Sequence, residues 1–403
     1  MLDANWAEGA DTERFLSVRL VGPDGRAWAQ QDFTLAAPAS VDRLGLLVPS
    51  GTPPGTYTVS LSLLDAAGGR PQPGEGPGLT PGATSLDLGQ VEISAPPTAP
   101  PIHTLPIEQP LDAILDDALS LVGYSATPGP LQPGEDLAVS LFWQALPGLS
   151  DFAPGDLFTV IQLLDDNDHV VAAWEGPPVA WHPTHTWGTG ELVHSQHAIR
   201  LPATVPNGRY RLVAGVFDAD SGQRLTARWG KGPWGLLKQS RDTVPLGTVD
   251  VAGREHIMTP PQLRTPLQAE LADVGRLLGY VLPAMEVTPG GTLDLTLYWQ
   301  VNESTGDRLS VFVHLLDAQD TIIGQSDGEP GNGAYPTSSW VPGETLTDRR
   351  TLTVRADAPA GPATLVVGLY DPATGKRVPW LDATGQPGID SLPLPDFIDV
   401  RAR

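Results

Sequence analysis

Cysteine is absent from the 403-residue chain. Its absence excludes disulfides, a thiolate nucleophile and Cys-ligated zinc or iron–sulfur sites, and it suits a cytosolic protein as well as a bacterial envelope protein stabilised by its core. No apolar run approaches the ~20 residues that a membrane-spanning helix needs. The first residues, MLDANWAEGADTERF, lack the basic and apolar regions of a signal peptide. These features predict that the protein stays inside the cell or is a piece of something longer.

Positive charge is also scarce. Lysine and arginine number 24 against 47 aspartates and glutamates, which gives a net charge of −23. Binding of nucleic acid requires a basic face that neutralises phosphates, and no basic run is present, so this class of partner is excluded. An anionic membrane surface is disfavoured for the same reason. The acidic balance is interpreted as favouring solubility, with a cation-binding surface as the alternative.

The sequence lacks the common catalytic motifs as well. A G-x-S-x-G elbow, a P-loop, a G-x-G-x-x-G turn after a strand and an H-E-x-x-H pair are all missing. Nothing in the sequence places two carboxylates in one cleft, as glycoside hydrolysis would require. An enzyme is therefore a minority hypothesis, and no cofactor is predicted.

Glycine and proline are abundant, and they punctuate short strand-like runs. Together they number 86 of the 403 residues, about 21% against a usual ~12%. Between them lie β-branched and aromatic runs in which apolar residues alternate, as in LDLTLY at 293–298. Seven or eight such strands per ~150 residues, with turn signals between them, predict an all-β fold of immunoglobulin-like β-sandwich units.

Internal repetition sets the predicted domain organisation. PGEDLAVSLFWQ at 133–144 matches PGGTLDLTLYWQ at 289–300, and AWHPTHTWGTGE at 180–191 matches GAYPTSSWVPGE at 333–344. The N-terminal part matches only the later half of this unit, as in PPGTYTVSLSLLDAAG at 53–68. A tandem array with an incomplete first unit is therefore predicted. Because a sandwich without its first strands exposes unpaired edges, another element or upstream sequence is expected to supply them.

Proline-rich joints predict the unit boundaries, since proline lacks the N–H that a sheet needs. The predicted domains are a partial unit at 1–95 and full units at 96–253 and 254–403. Two short helices are also predicted, at 111–121 and 266–278, from apolar residues three to four positions apart.

The third repeat carries a recognisable series of motifs. They are G-Y at 279–280, P-G-x-x-L-x-L-x-L-Y-W-Q at 289–300, V-F-V-H-L-L-D at 311–317, Y-P-T-x-x-W-x-P-G-E at 335–344 and V-G-L-Y-D-x-x-T-G-x-R at 367–377. This series resembles extracytoplasmic β-sandwich modules of filamentous green non-sulfur bacteria. Those modules commonly follow the membrane part of glycosyltransferases related to protein mannosyltransferases. The resemblance covers the third repeat well, the second with changes and the first only in its later half.

The resemblance implies a location in the cell envelope or outside the cell, and an upstream membrane domain of the same polypeptide as partner. The family's catalytic acids belong to its membrane loops, so no catalytic residue is carried over. The second repeat departs from the pattern by having His182 where the third has Tyr335, and by an insertion at 227–241.

Aromatic residues beside polar ones are candidates for sugar binding, because sugar rings stack on tryptophan and tyrosine. The candidate ligand-binding residues are Trp181, His182, Trp187, Trp229, Trp234, Tyr335 and Trp340. Trp187 and Trp340 recur at one position of the repeat, which favours a scaffold role for both. Trp229 and Trp234 lie in the insertion found in one repeat only. They are the stronger binding candidates, since loops on a rigid scaffold often carry function.

Four of the eight histidines cluster in the second repeat, as His182, His185, His194 and His197. Such a series could hold zinc or copper. However, a spacing of three on a strand sends side chains to opposite faces, which argues against a shared metal. No metal site is predicted.

The sequence thus predicts a non-catalytic accessory or spacer region of the cell envelope. The alternatives are a carbohydrate-binding module that uses the aromatic loops and, third, a glycoside-active enzyme. The expected partners are glycans or the upstream membrane domain.

Overall fold

The computed structural model describes residues 14–34, 45–65, 71–72, 84–231, 237–263 and 266–401. Over these residues the regular structure is mostly β-strand, arranged in several antiparallel sheets, and the helices are short 3₁₀ turns. The predicted all-β, sandwich-like fold is confirmed. Among the described helices, none is long and apolar enough to cross a membrane.

The described part of the first unit is one antiparallel sheet. Its strands are β1 (Arg14–Val21), β2 (Ala27–Thr34), β3 (Gly55–Asp65), β4 (Pro71–Gln72) and β5 (Leu86–Ile93). The order is β2-β1-β3, and both β4 and β5 pair with β3. We call the regions that contain β1–β5, β6–β15 and β16–β24 the first, second and third units.

The second unit is a sandwich of two sheets. Its strands are β6 (Gln109–Leu115), β7 (Leu119–Ala126), β8 (Asp136–Ala145), β9 (Leu157–Leu164), β10 (Val170–Gly176), β11 (Leu192–Arg200), β12 (Gly208–Asp218), β13 (Ala227–Lys231), β14 (Leu237–Arg241) and β15 (Val244–Val251). One sheet has the order β11-β8-β7-β6-β13-β14 and the other β10-β9-β12-β15. The hairpin of β13 and β14 is the insertion seen in the sequence, and it extends the first sheet beyond β6.

The third unit repeats this plan. Its strands are β16 (Pro266–Leu271), β17 (Gly275–Val281), β18 (Glu286–Val287), β19 (Thr292–Val301), β20 (Ser310–Leu316), β21 (Ile322–Gly328), β22 (Thr345–Val354), β23 (Gly361–Tyr370) and β24 (Leu392–Val400). A short ladder between β21 and β22 joins its two halves into one nine-stranded sheet, β16-β17-β19-β22-β21-β20-β23-β24-β18. The second unit has no ladder between its corresponding strands β10 and β11, and therefore forms two separate sheets.

Both predicted helices are wrong. Residues 111–121 form part of the β6–β7 hairpin, and residues 266–278 form part of the β16–β17 hairpin. Asp116, Asp117 and Asp273 have left-handed backbone conformations, with φ of 40°, 54° and 55°, at the two turns. Aspartate tolerates this region better than most residues. The apparent helical spacing arose because two alternating strands were read across a tight turn.

The sheet of the first unit corresponds to one layer of the second unit. Strands β2, β1, β3 and β5 pair in the same order and directions as β10, β9, β12 and β15. The match extends to a side chain, because the Tyr57 hydroxyl donates to the carbonyl of Pro53 (2.7 Å) and the Tyr210 hydroxyl to that of Pro206 (2.8 Å). The described first unit thus has one layer of a sandwich.

The second unit supplies the surface on which this layer packs. The Trp28 ring lies 5.4 Å from the rings of both Trp181 and His194. The His194 backbone N–H donates to the Gly51 carbonyl at 2.7 Å. Leu20, Trp28 and Tyr57 consequently belong to the same buried cluster as the core of the second unit. The outer face of the β8–β11 pair in this way becomes a second layer for the first unit.

Candidate functional site

The two copies of the recurring Pro-Thr-x-x-Trp-x-x-Gly-Glu loop have the same conformation. Each contains a 3₁₀ turn, Thr184–Thr186 in the second unit and Thr337–Ser339 in the third. The Pro183 carbonyl accepts hydrogen bonds from the Thr186 N–H (3.0 Å) and hydroxyl (2.7 Å). The Pro336 carbonyl accepts the corresponding pair from Ser339, at 2.9 and 2.8 Å. The recurrence of proline and a hydroxyl residue is therefore explained by turn formation.

The recurring threonine ties the loop to a core strand. The Thr184 hydroxyl oxygen accepts the backbone N–H of Leu157 at 2.7 Å, at the start of β9. In the third unit the Thr337 hydroxyl oxygen accepts the N–H of Leu309 at 2.8 Å, next to β20. Both threonines are buried. A buried N–H requires such a partner, which makes this threonine a structural residue.

Replacing Thr337 with valine is expected to destabilise the third unit by about 1–3 kcal/mol, because the Leu309 N–H is left buried without an acceptor. Thr184→Val should have a similar effect on the second unit. Thr351→Val is the control, because its hydroxyl bonds to Asp294 at the surface, and it should change stability by no more than ~0.5 kcal/mol. Native-state hydrogen exchange of β20 and β9 measures these differences. Equal effects of Thr337→Val and Thr351→Val would contradict the assignment.

The recurring tryptophans are internal anchors. The Trp187 indole N–H donates to the His182 carbonyl at 3.0 Å, and the Trp340 indole N–H donates to the Tyr335 carbonyl at 2.9 Å. Both side chains are buried, Trp340 completely. Neither ring presents a face on which a sugar could stack.

Each of the recurring glutamates accepts a backbone N–H of the same turn, but the other contacts of their carboxylates differ. Glu191 accepts the Gly188 N–H at 2.8 Å, and Glu344 accepts the Val341 N–H at 3.2 Å. The second carboxylate oxygen of Glu191 lies 2.7 Å from the ring of His182 in the same loop.

Glu344 instead holds the segment that connects the second and third units. Its carboxylate, which is buried, forms a bidentate pair with Arg254 and lies 3.1 Å from the His256 ring. Two more contacts fix this segment: Arg254 donates to the Ser339 carbonyl at 3.2 Å, and the Thr345 N–H donates to the Ile257 carbonyl at 2.7 Å. The same glutamate that closes a loop in the second unit therefore fastens a linker in the third.

The remaining aromatic candidates that the structure describes lie on different elements and have different neighbours. Trp181 is half-buried and packs against the rings of Trp28 and Tyr57 of the first unit. Tyr335 is half-buried, with the Arg254 guanidinium 5.2 Å from its ring centre. Trp229 is half-buried on β13 against the core of the second unit, and Trp234 lies outside the described residues. The structure thus does not bring the described candidates into one binding face.

The four clustered histidines are also separated. His182 pairs with Glu191, and His185 lies 2.9 Å from Asp156. His194 points to the outer face of β11, while His197 points to the inner face, where its ring nitrogen lies 2.8 Å from the Ser195 hydroxyl. Over the described part of the chain, no group of three or more potential ligands could hold a metal.

Burial strongly affects His194 and His197. Desolvation lowers the pKa of His194 to about 4, and desolvation, with smaller contributions from Arg26 and His194, lowers that of His197 to about 3. Both rings are therefore neutral near pH 7. His194 stacks on Phe142 with 4.6 Å between ring centres, and His197 lies 4.0 Å from the Trp174 ring.

A buried ion pair occupies the corresponding place in the third unit and was not anticipated from the sequence. The strand register makes Asp348 equivalent to Ser195 and Arg350 equivalent to His197. The Arg350 Nε donates to both Asp348 oxygens, at 2.9 and 3.0 Å, and both side chains are buried. The alternation in TLTDRRTLTV was a usable signal, because it places Asp348 and Arg350 on the same face as Leu346 and Leu352.

Two small pockets lie between the second and third units, of about 320 and 200 Å³. The larger is lined by charges that already have partners, since Arg200 pairs with Asp136 and Arg308 with Glu329. Both pockets are at or below the low end of the ~300–1,000 Å³ usual for ligand sites. Comparison with protein-family models and with curated proteins found no match to the chain.

Proposed function

We propose that this chain is a non-catalytic accessory or spacer region that holds its units in a fixed arrangement. The observation that carries the proposal is the set of contacts between Glu344 and the linker. A loop motif that could have formed a ligand site is engaged in internal hydrogen bonds, and its glutamate fastens the linker through Arg254 and His256. The packing of Trp28 against Trp181 and His194 supports the same conclusion for the first unit.

The proposed location is extracytoplasmic, in the cell envelope or outside the cell, with an upstream membrane glycosyltransferase domain of the same polypeptide as partner. The support for both is the motif series at 279–377, which resembles modules that follow such enzymes. In that setting a spacer would keep the membrane part at a set distance from its surroundings.

A rigid spacer predicts a defined distance between its units. Because the chain has no cysteine, two introduced cysteines can carry spin labels at the exposed residues Ala173 and Thr292 without a competing thiol. We expect a narrow distance distribution that broadens in Arg254→Ala, since the linker then loses its bonds to Glu344 and Ser339. Arg355→Ala, which removes an exposed pair with Asp357, is the control. A broad distribution in the unmodified protein would overturn the spacer proposal.

Carbohydrate binding is the second candidate, and Trp229 is the residue that favours it. It lies half-buried on the β13–β14 hairpin, beside the exposed Arg228, and the described strands of the third unit include no counterpart of this hairpin. A glycan array tests this function. Binding that Trp229→Ala abolishes, with Trp187→Phe as a scaffold control, would replace the spacer proposal with a binding module.

A further inference from the structure

His194 occupies an unusual position at the contact between the first and second units. It is 6% exposed and lies between the Phe142 ring, on which it stacks, and the Trp28 ring, with which it makes a T-shaped contact. Neither of its ring nitrogens has a hydrogen-bond partner among the described residues. A buried imidazole without partners is destabilising, because its polar atoms lose their bonds to water. An apolar side chain would make the same contact without this cost.

The third unit shows that the fold itself does not need this histidine. The equivalent position on β22 is Thr347, which is opposite Tyr298 as His194 is opposite Phe142. The ring contacts and the backbone bond described above for the first unit go to Trp181 and His194 of the second unit, whereas Thr347 is half-buried on the third unit. The histidine is therefore associated with the docking of the first unit and not with building a sandwich.

We infer that the contact between the first and second units is a pH-sensitive latch, in which protonation of His194 releases the sheet of the first unit. A charged imidazolium between Phe142 and Trp28 would have no acceptor for either N–H. In the released state the ring is exposed to water and both nitrogens are hydrated. Protonation thus favours release.

The charged groups around His194 do not compensate for its protonation. On the β1–β2 turn, Arg26 donates to the Gln196 carbonyl, two residues after His194, so the charged side chain that this turn brings to β11 is a cation and not an acceptor for an imidazolium. Asp24, on the same turn, is already engaged with the Trp28 indole N–H (3.2 Å) and lies 4.0 Å from Arg26. The other titratable groups near this contact are His197 on the same strand, Tyr57 on β3, the His182–Glu191 pair beside Trp181, and the exposed His103 before Leu105. The packed strands also carry Arg19 on β1, Asp32 on β2, and the Asp136–Arg200 pair of β8 and β11.

The direction of the pH effect follows from linkage. Docking keeps the pKa of His194 near 4, against an ordinary value of 6.5 that applies once the ring is exposed. The released state therefore binds more protons between these values. The equilibrium constant for docking is highest above about pH 6.5 and decreases as the pH falls. It is lower by about 30-fold at pH 5 and by more than 100-fold at pH 4. His197 titrates lower and stays inside the second unit, which separates release from unfolding.

The test uses the whole chain with two introduced cysteines, Gln31→Cys on β2 and Ala173→Cys on β10, both at exposed positions. Fluorescence energy transfer between dyes at these sites reports docking, and far-UV circular dichroism reports unfolding. We expect the transfer efficiency to change between pH 7 and pH 4.5 while most of the β-sheet dichroism signal persists, because the second and third units stay folded and only the single layer of the first unit loses its packing partner. In His194→Phe, which keeps the ring and removes the titration, the change should disappear. His185→Asn, which alters an exposed histidine, should behave as the unmodified protein.

A constant transfer efficiency down to pH 4.5 would overturn the latch, as would the same change in His194→Phe. If His194→Phe does not fold, the ¹H NMR titration of the His194 ring in the unmodified chain decides. A ring that protonates near pH 6.5 while the transfer stays constant is incompatible with the proposal. A ring that protonates together with the change in transfer supports it.

Discussion

Replacing Arg350 with leucine should destabilise the third unit by about 3–5 kcal/mol, which makes it one of the two most damaging single changes we expect. The substitution leaves the Asp348 carboxylate buried without its cation, and a buried unpaired charge carries a large desolvation cost. It also removes the donor to the carbonyls of Gly328 and Glu329, at 3.0 and 2.9 Å. Desolvation already raises the pKa of Asp348, although Arg350 opposes it, so the pair is costly even when intact.

A double substitution distinguishes the interaction energy between Asp348 and Arg350 from the contributions of their other contacts. Asp348→Leu combined with Arg350→Leu should cost less than the sum of the two single changes, because no unpaired charge remains. Arg355→Leu, which breaks an exposed pair with Asp357, should cost at most ~1 kcal/mol. Hydrogen exchange of β22 and β20 amides in the full chain measures the free energy of opening for this unit. Additive effects would contradict the assignment of a coupled buried pair.

Replacing Trp340 with alanine is expected to have a comparable effect, about 3–5 kcal/mol on the third unit. The side chain is completely buried, and its indole N–H holds the Tyr335 carbonyl. Its removal leaves a large cavity between the loop and the core. It should also loosen the position of Glu344, four residues later, and with it the contact to the linker.

The equivalent change in the second unit is the matched comparison. Trp187→Ala should destabilise the second unit by a similar amount but leave the linker contact unchanged, because Glu191 pairs with His182 and not with a linker. Hydrogen exchange of β22 and β11, with spin-label distances between the units, distinguishes the two effects. The proposed link between Trp340 and the linker would be contradicted if Trp340→Ala destabilised the third unit without broadening the distance distribution between the units. The same holds if Trp340→Phe were as stable as the unmodified protein and Trp340→Ala broadened no distance.

The strand content and the repeat were readable from the sequence for a simple physical reason. Alternation, turn residues and β-branched runs act locally, and the same local signals recur in the second and third units. The helix predictions at 111–121 and 266–278 failed because a period of three to four cannot be distinguished from two strands joined by a short turn. The turn is marked in the sequence only by Asp116, Asp117 and Asp273, because aspartate favours turns.

The sites were harder to predict because their roles depend on distant partners. Trp181 and His194 look like an aromatic and metal-binding group in sequence, yet the first unit encloses them. Asp348 and Arg350 look like surface charges until the register of β22 turns them inward. The insertion was identifiable by comparing the repeats, and the place of Trp229 on β13, between β6 and β14, required the tertiary structure.

The sequence by itself determined that this protein is a tandem of β-rich units without cysteine. The reason is that residue composition, the alternation of apolar residues and the turn residues can be identified without knowing which distant residues are in contact. Only the tertiary structure decided what each repeated residue contacts. Glu191 and Glu344 occupy the same place in the same motif, but one binds a histidine of its own loop and the other a linker arginine. The difference lies in which chain segment passes near each carboxylate, and that depends on long-range packing that no local pattern encodes.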